Sequence, residues 1–109
     1  MEKMKNKESR SKAIEKFVKK AKELLPEDLI DILIYGSVVR GEAKSESDID
    51  VIVIVRREEF KSQMKLASLA FDVLMDTGEY ISVQAVMPED FKRDTIFMRN
   101  VREEAISVA

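Results

Sequence analysis

Gly36-Ser37-Val38-Val39-Arg40-Gly41-Glu42-Ala43-Lys44-Ser45-Glu46-Ser47-Asp48-Ile49-Asp50-Val51 is the stretch around which the chain is organised. An apolar run, Leu29 to Tyr35, enters it, and another, Val51 to Val55, leaves it. The entering run is too short for an independent helix and rich in β-branched residues. That predicts a strand buried on at least one face. Asp48 to Val55 predicts a second strand. Alternation puts Asp48, Asp50, Ile52 and Ile54 on one face and Ile49, Val51, Val53 and Val55 on the other. The second set is entirely β-branched and apolar, so helices are expected against it. Gly36 ends the first strand, Val38 to Gly41 fits one helical turn, and Glu42 to Ser47 reads as a polar loop. A connection of about a dozen residues allows either a crossover or a wide hairpin.

Outward from this centre the pattern is helical on both sides. Ile14, Phe17, Val18, Ala21, Leu24 and Leu25 recur at spacings of three and four, predicting an amphipathic helix from about Ser11 to Leu25. Ser9 or Ser11 can cap its start and Pro26 stops it. Residues 1–8 are polar and expected to be disordered. Phe60, Met64, Ala67, Phe71 and Leu74 mark the longest helix, Arg56 to Asp76, with Gly78 supplying a left-handed cap. Tyr80 to Met87 predicts a third strand, with Ser82, Gln84 and Val86 on one face. Pro88 opens a helical turn. A last helix is expected over Thr95 to Ser107. The class is α/β (α+β), in one domain over residues 1–109.

Composition removes whole families of chemistry. Cysteine and histidine are both absent. Disulfide frameworks, thiolate metal sites, imidazole acid–base catalysis and Ser-His-Asp chemistry are therefore outside this chain's own means. A metal site must use oxygen ligands, which favours a hard cation such as Mg2+. The charged first ten residues do not read as a signal peptide. No apolar run approaches the roughly 20 residues that span a bilayer. A protein of the cytoplasm, away from membranes, is expected. Charged residues make up 37% of the chain, and their abundance in both signs resembles thermophile composition. Net charge is −2. The first 25 residues hold nine Lys/Arg and four Glu, or +5, leaving −7 on the remainder. The basic start reads as a solvated helix face, and nucleic-acid contact is not expected because the rest of the surface would repel phosphates.

The chemistry lies in the central stretch. Asp48 and Asp50, two apart on a strand, project to one face and raise each other's proton affinity unless a cation sits between them. A magnesium ion would supply that charge and bridge to phosphate oxygens. The bland alternative is two solvated carboxylates at a strand start. Gly36 lets the backbone approach a bulky anion, and Ser37 offers a hydroxyl and an amide to phosphate oxygens. The alternative there is an ordinary strand-ending turn. Arg40 can neutralise phosphate with its fork of donors, or pair with Glu42 or Asp48 and fix the loop.

Taken together, Gly36-Ser37, ten residues, then Asp48-Ile49-Asp50, with Arg40-Gly41 inside the gap, resembles the signature of the DNA polymerase beta-like nucleotidyltransferase superfamily. The short chain looks like a minimal nucleotidyltransferase, the antitoxin-type member of HEPN/MNT toxin–antitoxin pairs. The resemblance implies a small mixed β-sheet with helices packed on one face and the active site on the other. It implies that Gly36 and Ser37, with Arg40, hold the triphosphate of ATP and that Asp48 and Asp50 ligate Mg2+ as the catalytic pair. The implied reaction is transfer of AMP from ATP to a hydroxyl, and the implied partner is a HEPN-type toxin protein with a tyrosine acceptor.

One position departs from that pattern. Active members carry a third carboxylate on a later strand. The candidate strand offers Ser82, Gln84 and Val86 on the matching face, with Gln84 the best equivalent and Glu79 or Asp76 the alternatives if the register differs. A Gln can ligate but cannot accept a proton as a base. A module that neutralises a toxin by binding alone is thus the competing function. The Asp-bearing face also carries Ile52 and Ile54. Either another chain, possible homo-oligomerisation included, or this chain's own end is expected to cover them.

Overall fold

β1 (Leu29–Tyr35) and β2 (Ile49–Val55) run antiparallel as direct neighbours, so the connection between them is a wide hairpin rather than a crossover. The computed structural model describes residues 7–44 and 46–109. Before β1 comes α1 (Lys7–Leu24), and the hairpin loop holds the one-turn α2 (Ser37–Arg40). After β2 come α3 (Glu59–Thr77), β3 (Ile81–Val86), the short α4 (Pro88–Phe91), α5 (Ile96–Glu104) and the two-residue β4 (Ile106–Ser107). The sheet order is β3-β2-β1-β4, with β2 and β3 parallel and β4 antiparallel to β1. This is the mixed sheet that the family resemblance implied. A parallel β2–β3 pair needs a crossover, and α3 supplies it.

Alternation along β2 sorts the two faces as anticipated. Ile49, Val51, Val53 and Val55 pack with Phe17, Ala21, Leu66 and Val73 from α1 and α3. Phe17, Val53, Leu66 and Val73 are almost wholly withdrawn from solvent, and each such side chain contributes about 1.5–3 kcal/mol of burial free energy. On the opposite face Ile52 and Ile54 join Leu33, Val86, Met98 and Val101. Met98 and Val101 belong to α5, so the chain's own C-terminal helix covers this patch. Of the two coverings expected for Ile52 and Ile54, the structure has the chain's own end, and one helix lies across the side assigned to the site. Arg102 ties α5 down by donating to the carbonyls of Phe91 and Arg93.

Several boundaries differ from the sequence reading. α1 starts at Lys7, so Ser9 and Ser11 lie within it rather than before its first residue. Residues 7 and 8 of the segment expected to be disordered are helical, and residues 1–6 lie outside the described residues. The last helix ends at Glu104 because the chain turns extended at Ala105, and Ile106–Ser107 pairs with Leu33 and Ile34. Phe97 is on its exposed side, and Met98 shares the buried side with Val101.

The main correction concerns α3. Its buried residues are Ser62, Leu66, Leu69, Ala70 and Val73. Phe60, Met64 and Phe71, whose spacing marked the helix, are instead exposed, as is Met75. The helix is apolar on two opposite sides, and the core takes the side with the smaller, branched residues that fit against the sheet. Gln63 sits between those sides. Its amide donates to the Val83 carbonyl at 3.1 Å and accepts from Ala85 N–H at 2.6 Å, satisfying the outer edge of β3. An edge so occupied cannot recruit another strand there.

The two faces of α3 predict opposite outcomes for truncation. Leu66→Ala should cost about 2–5 kcal/mol by urea denaturation. Met64→Ala, measured in dilute solution, should stay within about 0.5 kcal/mol of the parent.

Candidate functional site

The site forms where β1 ends against the start of β2. Tyr35, the last residue of β1, pairs with Asp50, and Gly36 follows at once. Gly36 adopts φ 85° and ψ −154°, a backbone conformation open to glycine and strained for other residues. A Cβ built at position 36 would run into the Asp50 carboxylate. The glycine is thus required twice, by its dihedral angles and by the closeness of Asp50. Beyond it the chain folds into α2: Arg40 N–H donates to the Gly36 carbonyl at 3.1 Å and Glu42 N–H to the Ser37 carbonyl at 2.9 Å. Gly41 closes the turn in the left-handed region at φ 76°.

Alternation and register fix the neighbours of Asp50. Asp48 is exposed at the mouth of β2 and Asp50 is half-buried. Across the parallel pair with β3, Asp50 faces Ser82, while Gln84 lies level with Ile52. Gln84 is thus one step removed from the place assigned to it. Neither alternative reaches the site. Glu79 is fully buried and its Oε2 accepts from Ser9 Oγ at 2.5 Å. Asp76 accepts from Lys16 at 2.7 Å.

A carboxylate that sequence reasoning missed stands at the site instead. Glu104, the last residue of α5, accepts the Gly36 N–H at 2.9 Å through Oε2. Both its oxygens also lie 3.2 Å from Arg40 Nη1. Arg40 completes its fork on Glu42, with Nε 2.9 Å from Oε1. The structure therefore shows Arg40 paired with Glu42, as one of its two readings expected, and with an acid 64 residues away that none foresaw. No local spacing signals Glu104. Only the return of α5 and β4 to the edge of β1 brings it here.

Electrostatics follow from this cluster. Burial raises the Asp50 carboxyl above its ordinary range, the Asp48 charge adds to this, and Glu104 adds further, with Arg40 opposing. Glu104 is held below its usual range, first by the Gly36 amide and then, against some burial, by Arg40. Tyr35 is raised by burial and by the charges of Asp50 and Glu104. A cleft of about 580 Å³ opens beside these groups, lined by Tyr35, Gly36, Arg40, Phe97 and Glu104 among others. Tyr35 and Phe97 meet edge to face at 5.8 Å, giving it an aromatic wall.

The donor set is compatible with a hydrated divalent cation. Among the described residues no three acidic side chains are gathered closely enough to cage a metal by themselves. Two carboxylates on one strand face suit Mg2+, which keeps waters and takes its remaining oxygens from phosphate. Burial first, and then the neighbouring Asp48 and Glu104 charges, raise the proton affinity of Asp50, and a bound cation would oppose all three.

The model of the nucleotidyltransferase domain family matches residues 14–106, and the chain belongs to that family. A protein of Methanocaldococcus jannaschii, MJ1305, described as a candidate protein adenylyltransferase, is 30% identical over 86 residues. The match takes in 76% of this chain, which spans 58% of that protein's length. Among solved structures, a toxin–antitoxin complex with AMP-PNP superposes with a TM-score of 0.60 at 16% identity, covering 84% of this chain and 68% of the other. A candidate nucleotidyltransferase from Sulfolobus solfataricus superposes with a TM-score of 0.54 at 16% identity, covering 94% and 87%. At such identities the superpositions establish the shared fold.

Two substitutions probe the geometry. Gly36→Ala should cost about 1–3 kcal/mol in thermal or chemical denaturation, because both the dihedral angles and the Asp50 contact resist it. Asp50→Asn should raise the melting temperature of the metal-free protein at neutral pH. A raised folded-state pKa means that the carboxylate charge destabilises the fold above that pKa and ceases to do so as pH falls through it. The gain should accordingly vanish in acid.

Proposed function

We infer that the chain is a Mg2+-dependent nucleotidyltransferase that moves AMP from ATP to a hydroxyl of a partner protein. We read it as one catalytic domain over residues 1–109, acting in the cytoplasm as the antitoxin of a HEPN/MNT pair. The observation that carries the reading is the Gly36 backbone set directly against Asp50. It sets the turn to which we assign the phosphates beside the carboxylates to which we assign the metal. Gly36, Ser37 and Arg40 would hold the triphosphate, and Asp48 and Asp50 would hold the metal. The metal, when bound, supplies charge neutralisation for the phosphates. The acceptor hydroxyl oxygen bonds to the α-phosphorus, its proton passes to solvent, the α–β phosphoanhydride bond breaks, and pyrophosphate leaves. The relative described as a candidate protein adenylyltransferase supports the acceptor class, and the toxin–antitoxin neighbours support the partner.

A second reading is favoured by β3. Ser82, not an acid, lies beside Asp50, so the fold can act by binding a toxin without turnover. Labelled ATP separates the two. With Mg2+ and the cognate toxin, label should pass to the toxin and be lost in Asp48→Asn with Asp50→Asn. If no label transfers while neutralisation persists in that double variant, binding alone is the function.

Glu104 sets a further condition on the nucleotide. It occupies the Gly36 amide and the Arg40 guanidinium, both groups that a phosphate would use. An incoming triphosphate must displace it. Glu104→Ala should therefore bind an ATP analogue more tightly, by about tenfold, in titration calorimetry. Weaker binding would instead make Glu104 part of the nucleotide or metal site.

A further inference from the structure

α3 carries an apolar stripe that no part of the described chain covers. Phe60 is 78% exposed, Met64 58%, Phe71 58% and Met75 70%. At 100° per residue these four and Ala67 fall within an arc of about 80°, opposite the core residues, over about 22 Å of helix. Side chains of this size, more than half exposed, leave about 500 Å² of apolar surface in one strip.

The order of residues along the stripe is its own complement. Let a second copy of α3 lie antiparallel across it, with the two-fold axis between Ala67 and Ser68. Phe60 then stands level with Met75 of the second copy, and Met64 with its Phe71. Ala67 stands level with its Ser68. Each aromatic ring meets a thioether, a favourable pairing, and the smallest residues fall at the crossing, where helices approach closest. Charge agrees with the same orientation. Lys61, Lys65 and Asp72 share one flank of the stripe. In the antiparallel pair Asp72 of one copy falls between Lys61 and Lys65 of the other, each about 3 Å away along the axis. A parallel pair would set Phe60 on Phe60 and Met64 on Met64, and would carry Asp72 of one copy to the flank opposite Lys61 and Lys65 of the other.

We propose that this stripe is a self-association surface, through which two copies pair α3 against α3 about a two-fold axis. Such an isologous contact uses the same patch on both copies and closes at two. The apolar strips together bury about 1,000 Å², the lower end for a specific interface, so the dimer should be reversible and concentration-dependent. The site at Gly36 and Asp50 lies on the sheet face opposite α1 and α3, so both copies keep their clefts free.

Sedimentation over a wide range of protein concentration reads the equilibrium. The parent chain should pass from monomer to dimer, and Met64→Glu should weaken the dimer by about tenfold or more. Asp72→Lys should weaken it too, and adding Lys61→Asp and Lys65→Asp should restore it. The chain has no cysteine, so introduced thiols report orientation cleanly with a short bifunctional reagent. Ala67→Cys should couple to itself. Phe60→Cys should couple only when mixed with Met75→Cys. A chain that stays monomeric at every concentration overturns the proposal, as does self-coupling of Phe60→Cys. If the monomer loses capture of its cognate toxin on Met64→Glu, the stripe serves a different chain and self-association is refuted.

Discussion

The contact between the Gly36 backbone and the Asp50 carboxylate is the constraint on which the site depends. It exists because β1 and β2 are antiparallel neighbours in a register that sets Tyr35 opposite Asp50. The residue after Tyr35 must then turn away within one step of a carboxylate. Only glycine does so without collision. The apolar alternation of the two strands fixes the register, since a one-residue slip would carry the valines and isoleucines of β2 to the wrong face. Core packing and site geometry are therefore set by the same pairing.

The charge at this point is not balanced by the chain alone. Asp48 and Asp50 repel each other, and Glu104 adds a third negative group that takes up the Gly36 amide and Arg40. A cation held by the two aspartates, as proposed, would lessen this repulsion. That is the electrostatic character expected of a nucleotidyltransferase site. The arrangement also ties the C-terminal segment to the Gly36 turn, because Glu104 ends α5 and β4 follows it into the sheet.

Much of this was legible in the sequence. Leu29–Tyr35 was bounded correctly by an apolar run meeting a glycine, and the faces of β2 followed from simple alternation. The signature residues reach one place because they lie on adjacent strand ends. Two things were not legible. The periodicity of α3 marks two apolar faces, and spacing alone selected the one that the core does not use. Phe60, Met64 and Phe71 are larger than Leu66, Ala70 and Val73, yet the helix seats the smaller set on the sheet. Glu104 gave no signal either, because its role depends on a helix returning to the first strand from the far end of the chain. The carboxylate sought on β3 was looked for at Gln84, whereas the register places Ser82 beside Asp50.

The central claim is that Gly36 and the two aspartates form one nucleotide and metal platform. Calorimetric titration of a non-hydrolysable ATP analogue into the parent chain and into Asp50→Asn, each with and without Mg2+, tests it most directly. The account predicts binding that strengthens with Mg2+ in the parent chain and loses that strengthening in the variant. Binding that is indifferent to both Mg2+ and the substitution would contradict it.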